Sequence, residues 1–195
     1  RLPEALTAYD RALALDGDSA WSINGKGIVL EQMERYAEAH ICYARAAELK
    51  PNDVWHWYNQ GNVLVLMGNY ADALHSLETA LSINPQHARS WARLGNTLRH
   101  LQRWDEALEA CQKATQIAPN YAWAWNEQGV TLEAMARYDE AIFCFQTASQ
   151  FAPKEAFYLV KQTDVLLILN RHQEAAKLLE EALKIDERNA QIHAQ

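Results

Sequence analysis

The sequence predicts an all-α fold, an α-solenoid of tandem antiparallel helix pairs, and three regularities carry that prediction. Prolines at 51, 85, 119 and 153 recur every 34 residues, and glycines at 27, 61, 95 and 129 recur at the same interval. A fixed period of this length marks a stacked array whose unit is one supersecondary element. With each proline as position 32, the chain divides into five full units, 20–53, 54–87, 88–121, 122–155 and 156–189. Residues 1–19 are then the second helix of a preceding unit, and 190–195 begin a further helix. The third regularity is alanine: position 20 reads Ala39, Ala73, Ala107, Ala141 and Ala175, and position 27 reads Ala46, Ala80, Ala114, Ala148 and Ala182.

Each unit opens with an apolar stretch of helix length, in which the small residue at position 8 lets a facing backbone approach closely while bulky neighbours fill the remaining space. A break follows near positions 15–17, as in Met67-Gly68-Asn69-Tyr70. The second helix starts with acids that favour the positive end of a helix dipole: Glu38, Asp72, Asp105 with Glu106, Asp139 with Glu140, and Glu174. The proline ends it, and residues such as Asn52-Asp53 cap the next. Large residues recur at position 17 (Tyr36, Tyr70, Trp104, Tyr138, His172), position 24 (Tyr43, Leu77, Cys111, Phe145, Leu179) and position 4 (Ile23, Trp57, Trp91, Trp125, Leu159). The three position-4 tryptophans are expected in the core.

Composition excludes several function classes. A net charge of −7 argues against nucleic-acid binding, which draws on clustered Lys and Arg. No apolar run is long enough to span a membrane, and no secretory leader is visible. Cys42, Cys111 and Cys144 are odd in number and far apart, without C-x-x-C spacing, so neither a disulfide framework nor a zinc site is predicted. Their places in second helices suit buried apolar roles. The seven histidines share no phase and no metal-ligand spacing. With no phosphate loop, nucleophile elbow or paired carboxylates in a cleft, the expectation is no catalytic residue, no metal and no cofactor. Unpaired cysteines and the lack of an export signal suggest the cytoplasm.

The spacing and the residues at positions 4, 8, 17, 20, 24, 27 and 32 resemble the tetratricopeptide repeat family over essentially the whole chain. The last unit departs from its pattern, with Thr163 for Gly, His172 for Tyr and Glu187 for Pro, and is expected to pack more loosely. The resemblance implies a right-handed superhelix with first helices on its concave face. Ligands of the family lie there, against positions 2, 5, 6, 9, 12 and 13. The first unit offers Trp21, Asn24, Gly25, Ile28, Glu31 and Gln32, and the second Trp55, Tyr58, Asn59, Asn62, Val65 and Leu66, both mostly neutral. The third offers Arg89, Ala92, Arg93, Asn96, Arg99 and His100, and the fourth Trp123, Asn126, Glu127, Val130, Glu133 and Ala134, where the sign of the charge changes.

The first helix of the third unit carries three arginines and no acid, a local positive floor in an acidic chain. Arg89 and Arg93, one turn apart, can present guanidinium groups to a carboxylate, with Asn59, Asn62 and Asn96 meeting peptide backbone. The same residues would equally be a solvated face paired with nearby acids. Trp21, Trp55 and Trp123, with Tyr58, form a candidate aromatic lining. Some family members clamp the C-terminal carboxylate of chaperones. Asn59, Arg89 and Arg93 match that motif, but Asn24 and Ile28 depart from it and remove a charge, so recognition of an acidic tail is implied without the complete clamp. The asparagine ladder of sugar-transferring members matches less: position 6 reads Gly25, Asn59, Arg93, Glu127 and Lys161. The leading expectation is a protein-interaction module that holds an extended peptide or helix, with an acidic segment, in the concave groove. Its rivals are a scaffold that self-associates through its repeat ends and the targeting arm of a larger enzyme. A shared fold does not separate them.

Overall fold

The computed structural model describes residues 1–193, apart from the side chains at 189 and 191–193. Eleven α-helices, and no strand, make up the described residues: α1 (Leu2–Leu15), α2 (Ala20–Gln32), α3 (Tyr36–Leu49), α4 (Val54–Leu66), α5 (Tyr70–Ile83), α6 (Ala88–His100), α7 (Trp104–Ile117), α8 (Ala122–Ala134), α9 (Tyr138–Phe151), α10 (Ala156–Ile168) and α11 (His172–His193). The tightest packing is within the pairs α2/α3, α4/α5, α6/α7, α8/α9 and α10/α11, and each pair leans on the next through α3/α4, α5/α6, α7/α8 and α9/α10. The even-numbered helices also meet one another, α4 with α6 and α6 with α8. A layer whose members touch directly is the inner, shorter side of a curved stack, and it is the layer that holds the candidate groove.

Every first helix is stopped by the same device. Glu34, Gly68, Gln102, Ala136 and Asn170 all adopt positive φ, between 57° and 78°. The residue after each then donates its N–H five residues back, Arg35 to Leu30, Asn69 to Leu64, Arg103 to Leu98, Arg137 to Leu132 and Arg171 to Leu166, at 2.8–2.9 Å. This is the closure a helix makes through a left-handed residue, which satisfies a carbonyl that would otherwise be orphaned. Asp53 caps α4 by accepting from the Trp55 N–H at 2.9 Å, and Ser19 caps α2, while α6, α8 and α10 start without a side-chain cap. Arg35, Arg103, Arg137 and Arg171, just before the second helices, each grip the carboxylate three residues on (Glu38, Glu106, Glu140, Glu174) with both branches. All four pairs are exposed.

The alanines at position 20 are 0% exposed in the first four units and 1% in the fifth, and those at position 27 are 0–3% exposed. The position-8 glycines explain the closeness of each pair. A Cβ at Gly27 would sit 2.7 Å from the Tyr43 ring, one at Gly61 2.7 Å from Leu77, and one at Gly129 2.8 Å from Phe145. At Gly95 it would run into the Cys111 sulfur. In the last unit Thr163 takes the glycine's place, 1% exposed, and Leu179 at position 24 is 41% exposed where Tyr43, Leu77, Cys111 and Phe145 are fully buried.

Two expectations need correction. Trp57, Trp91 and Trp125 are half-buried, not core: each indole N–H donates to a proline carbonyl six residues back, Pro51, Pro85 and Pro119, at 2.7–2.8 Å, so one edge of the ring must reach the turn. The fully buried site on the same helices is one residue earlier, at His56, Ser90 and Ala124. Residues 190–193 do not open a new helix either. α11 runs unbroken to His193 because Glu187 stands where earlier units have the proline that stops a helix. Residues 194 and 195 lie outside the described residues.

Candidate functional site

Many of the residues predicted for the groove fall into two adjoining clusters on the inner helices, while Trp21 stands 74% exposed beside Tyr9. The first is a cleft of about 390 Å³ between α2, α4 and the start of α6, lined by Asn24, Ile28, Glu31, Tyr43, Trp55, Tyr58, Asn59, Asn62 and Arg89. Trp55, 46% exposed, stands edge-on to Tyr58 at 5.9 Å and to His87 at 4.7 Å between ring centres. Asn59 donates to Asn24 at 2.9 Å. Asn62 donates to one oxygen of Glu31 and the Tyr43 hydroxyl to the other, both at 2.8 Å.

The second cluster lies between α6 and α8. Glu127, 5% exposed, accepts from Asn96 at 2.7 Å and from Asn126 at 3.1 Å, and Arg99 approaches it at 3.6 Å. The Arg93 guanidinium lies 4.5 Å from the centre of the Trp123 ring, and that of Arg89 lies 5.8 Å from Trp55. His100 is drawn away to the groove's edge, where its ring stacks on Tyr70 at 4.4 Å.

The electrostatics follow from burial. Desolvation raises the Glu31 carboxyl above its ordinary value, opposed by the donors Tyr43 and Asn62 and by the charge of Arg93. The Tyr43 phenol is pushed well above its usual range by burial and by the neighbouring Glu31. Burial, and then the Arg89 charge, lowers His87, which leaves that ring neutral at pH 7. Of the three α6 arginines only Arg99 is paired; among the described residues no carboxylate comes within ion-pair distance of Arg89 or Arg93.

Sequence reasoning offered Glu127 among the groove-facing residues, and the structure buries it as an internal counter-charge. It undervalued Glu31, Tyr43 and His87. Tyr43 occupies a core position yet its hydroxyl reaches the groove, and His87 belongs to no repeating phase. The available signals were spacing and a local motif: Glu31 to Asn62 and Asn96 to Glu127 are both 31 residues apart, one helical turn short of the repeat, and His87 with Ser90 has cap-like spacing that the structure fills with a 2.7 Å side-chain hydrogen bond.

Chemically the groove offers donors, acceptors and ring faces. The thiols of Cys111 and Cys144 are buried in helix packing, and burial pushes Cys144 up to about 12. Among the described residues no three metal-binding side chains converge, and no helix is long and apolar enough to cross a membrane.

Three family models, each described as tetratricopeptide repeat, match residues 58–122, 110–143, and 22–53 with 164–189. The chain is a tetratricopeptide repeat protein. As such it is a protein-interaction module in general terms, and its repeat class is typically non-catalytic. No curated protein matches the sequence significantly. Among solved structures it is similar to MamA from Desulfovibrio magneticus RS-1 (20% identity, TM-score 0.73, covering 87% of this chain and 96% of that one). It is also similar to YrrB, described as a tetratricopeptide repeat protein with an unusual peptide-binding site (23% identity, TM-score 0.65, 93% of each chain). A third likeness is to the anaphase-promoting complex hetero-tetramer Cut9–Hcn1 (17% identity, TM-score 0.84, 99% of this tetratricopeptide repeat chain and 38% of that one). At these identities the likeness is one of fold.

Proposed function

We propose that this repeat array is a non-catalytic adaptor that holds an extended peptide or helix of a partner protein in the groove of α4, α6 and α8, and that Arg89 and Arg93 select partners with an acidic segment. The observation that carries this reading is that these two arginines, alone among the three on α6, have no carboxylate partner of their own. A solvated structural face would be expected to pair them, as it pairs the arginines before the second helices. The exposed Trp55 and the half-buried Tyr58 and Asn59 supply apolar and amide contacts beside them. Three free cysteines suit a reducing compartment, and we assign the protein to the cytoplasm on that basis.

The test is capture of partners from native extract, comparing the wild-type chain with an Arg89→Glu, Arg93→Glu variant of equal helicity. Retention by the wild type and loss by the variant supports the reading, and acidic segments should recur among the retained proteins. Equal retention by both means the arginines do not select, and recovery of nothing but the chain itself points to self-association.

A further inference from the structure

Two tryptophans of the groove each have one of the chain's own arginines over the ring. α6 lies between α4 and α8 and reaches a ring on each side: Arg93 sits 4.5 Å from the Trp123 ring centre and Arg89 5.8 Å from that of Trp55. A guanidinium is a flat group whose faces suit an aromatic ring and whose rim carries its N–H donors, so a ring takes up a face and leaves the rim unspent. Neither rim is consumed within the described residues. Arg99 is engaged by Glu127 at 3.6 Å, whereas Arg89 and Arg93 have no ion pair; the buried Nε atoms of Arg93 and Arg99 alike have no hydrogen-bond partner. The nearby carboxylate that feels the charge of Arg93 is Glu31, and its two oxygens are already bound by Tyr43 and Asn62.

We propose that Trp55 and Trp123 are positioning residues: each ring holds an α6 guanidinium flat and turns its N–H rim toward a carboxylate of the bound peptide, so that geometry as well as charge selects acidic ligands. The proposal rests on the acidic-peptide reading of the groove. It adds to a lining that grips the ligand's apolar side chains: Arg89 and Arg93 lie over the two rings before a ligand arrives, while Trp55 keeps 46% of its surface exposed beside Arg89. It also separates arginine from lysine at these places. A lysine keeps the charge and loses both the stacked plane and the paired donors that match a carboxylate.

The experiment is fluorescence anisotropy with two probes, fluorescein-labelled hexaglutamate and hexaglutamine, on variants whose far-UV melts match the wild type. Trp55→Leu with Trp123→Leu should weaken hexaglutamate binding roughly tenfold, and Arg89→Lys with Arg93→Lys should do the same although no charge is lost. Trp55→Phe with Trp123→Phe should restore most of the affinity, and hexaglutamine binding should move with none of them. Wild-type hexaglutamate affinity in the double leucine variant, alongside loss of binding in Arg89→Glu with Arg93→Glu, overturns the positioning role and leaves the groove reading intact. Wild-type affinity in the double glutamate variant sinks both. If Trp123→Leu melts early, the single Trp55→Leu variant on an exposed side chain decides, and unchanged affinity there overturns the proposal.

Discussion

At the residue scale, the five left-handed residues that end the first helices offer a clean stability test. Only Gly68 is free of a Cβ penalty there, and Ala136, exposed at φ 57°, has the penalty with no side-chain compensation in view. Ala136→Gly should therefore stabilise the array by about 0.5–1 kcal/mol, and Gly68→Ala should destabilise it by a similar amount, read as shifts in the urea midpoint. Gly129 is needed for a different reason, close approach and not backbone conformation. Its Cβ would press on Phe145, which is fully buried, so Gly129→Ala should cost about 1–3 kcal/mol by forcing α8 from α9. The buried histidines set the acid side of the stability profile. Burial lowers His56 and His87 below the ordinary 6.5, so the stability they hold is present above that value and is lost as pH falls through their folded pKa. The thermal midpoint should drop between about pH 7 and about pH 5. Glu31, raised by burial, works in the other direction: what it contributes is present below its ordinary 4.5 and is lost as pH rises through its folded pKa.

At the element scale, two repeating devices look alike in sequence and differ in worth. The arginine grips at the start of the second helices are exposed, and Arg103→Ala should leave the urea midpoint where it is, because water screens such pairs and holding them costs side-chain entropy. The indole bonds to the proline carbonyls belong to half-buried rings and tie the first helices α4, α6 and α8 to the turn before them. Trp91→Phe keeps the ring's bulk and loses the bond to Pro85, and it should cost about 1 kcal/mol without unfolding the chain. Helix pairing was legible in the sequence because each unit repeats one packing solution, so the Gly at position 8 and the Ala at positions 20 and 27 announce themselves. The groove was less legible because its partners come from different units at a spacing that is not the repeat. Glu127 and Glu31 look equivalent as acids on inner helices. Whether either is free depends on Asn96, Asn126 and Arg99 in one case and on Asn62 and Tyr43 in the other.

At the scale of the whole molecule, a stack in which each pair touches only its neighbours derives its stability from local interfaces and opens from its ends. α1 has no buried residue, and α11 presents exposed Leu179 and Leu183. Amide exchange should accordingly be fastest in α1 and α11 and slowest in α6 to α9, and equal protection along the chain would mean a single cooperative unit instead. The indole-to-proline bonds have a mechanical meaning as well. They occur at the junctions α3/α4, α5/α6 and α7/α8, while Ile23 and Leu159 leave the junctions at α1/α2 and α9/α10 without one. Considered as a coiled spring, the array has an indole clasp at each of three middle joints and none at the joint on either side. Under twisting or stretching the clasps should resist separation at these three joints, which flank and include the stretch that carries Arg89 and Arg93.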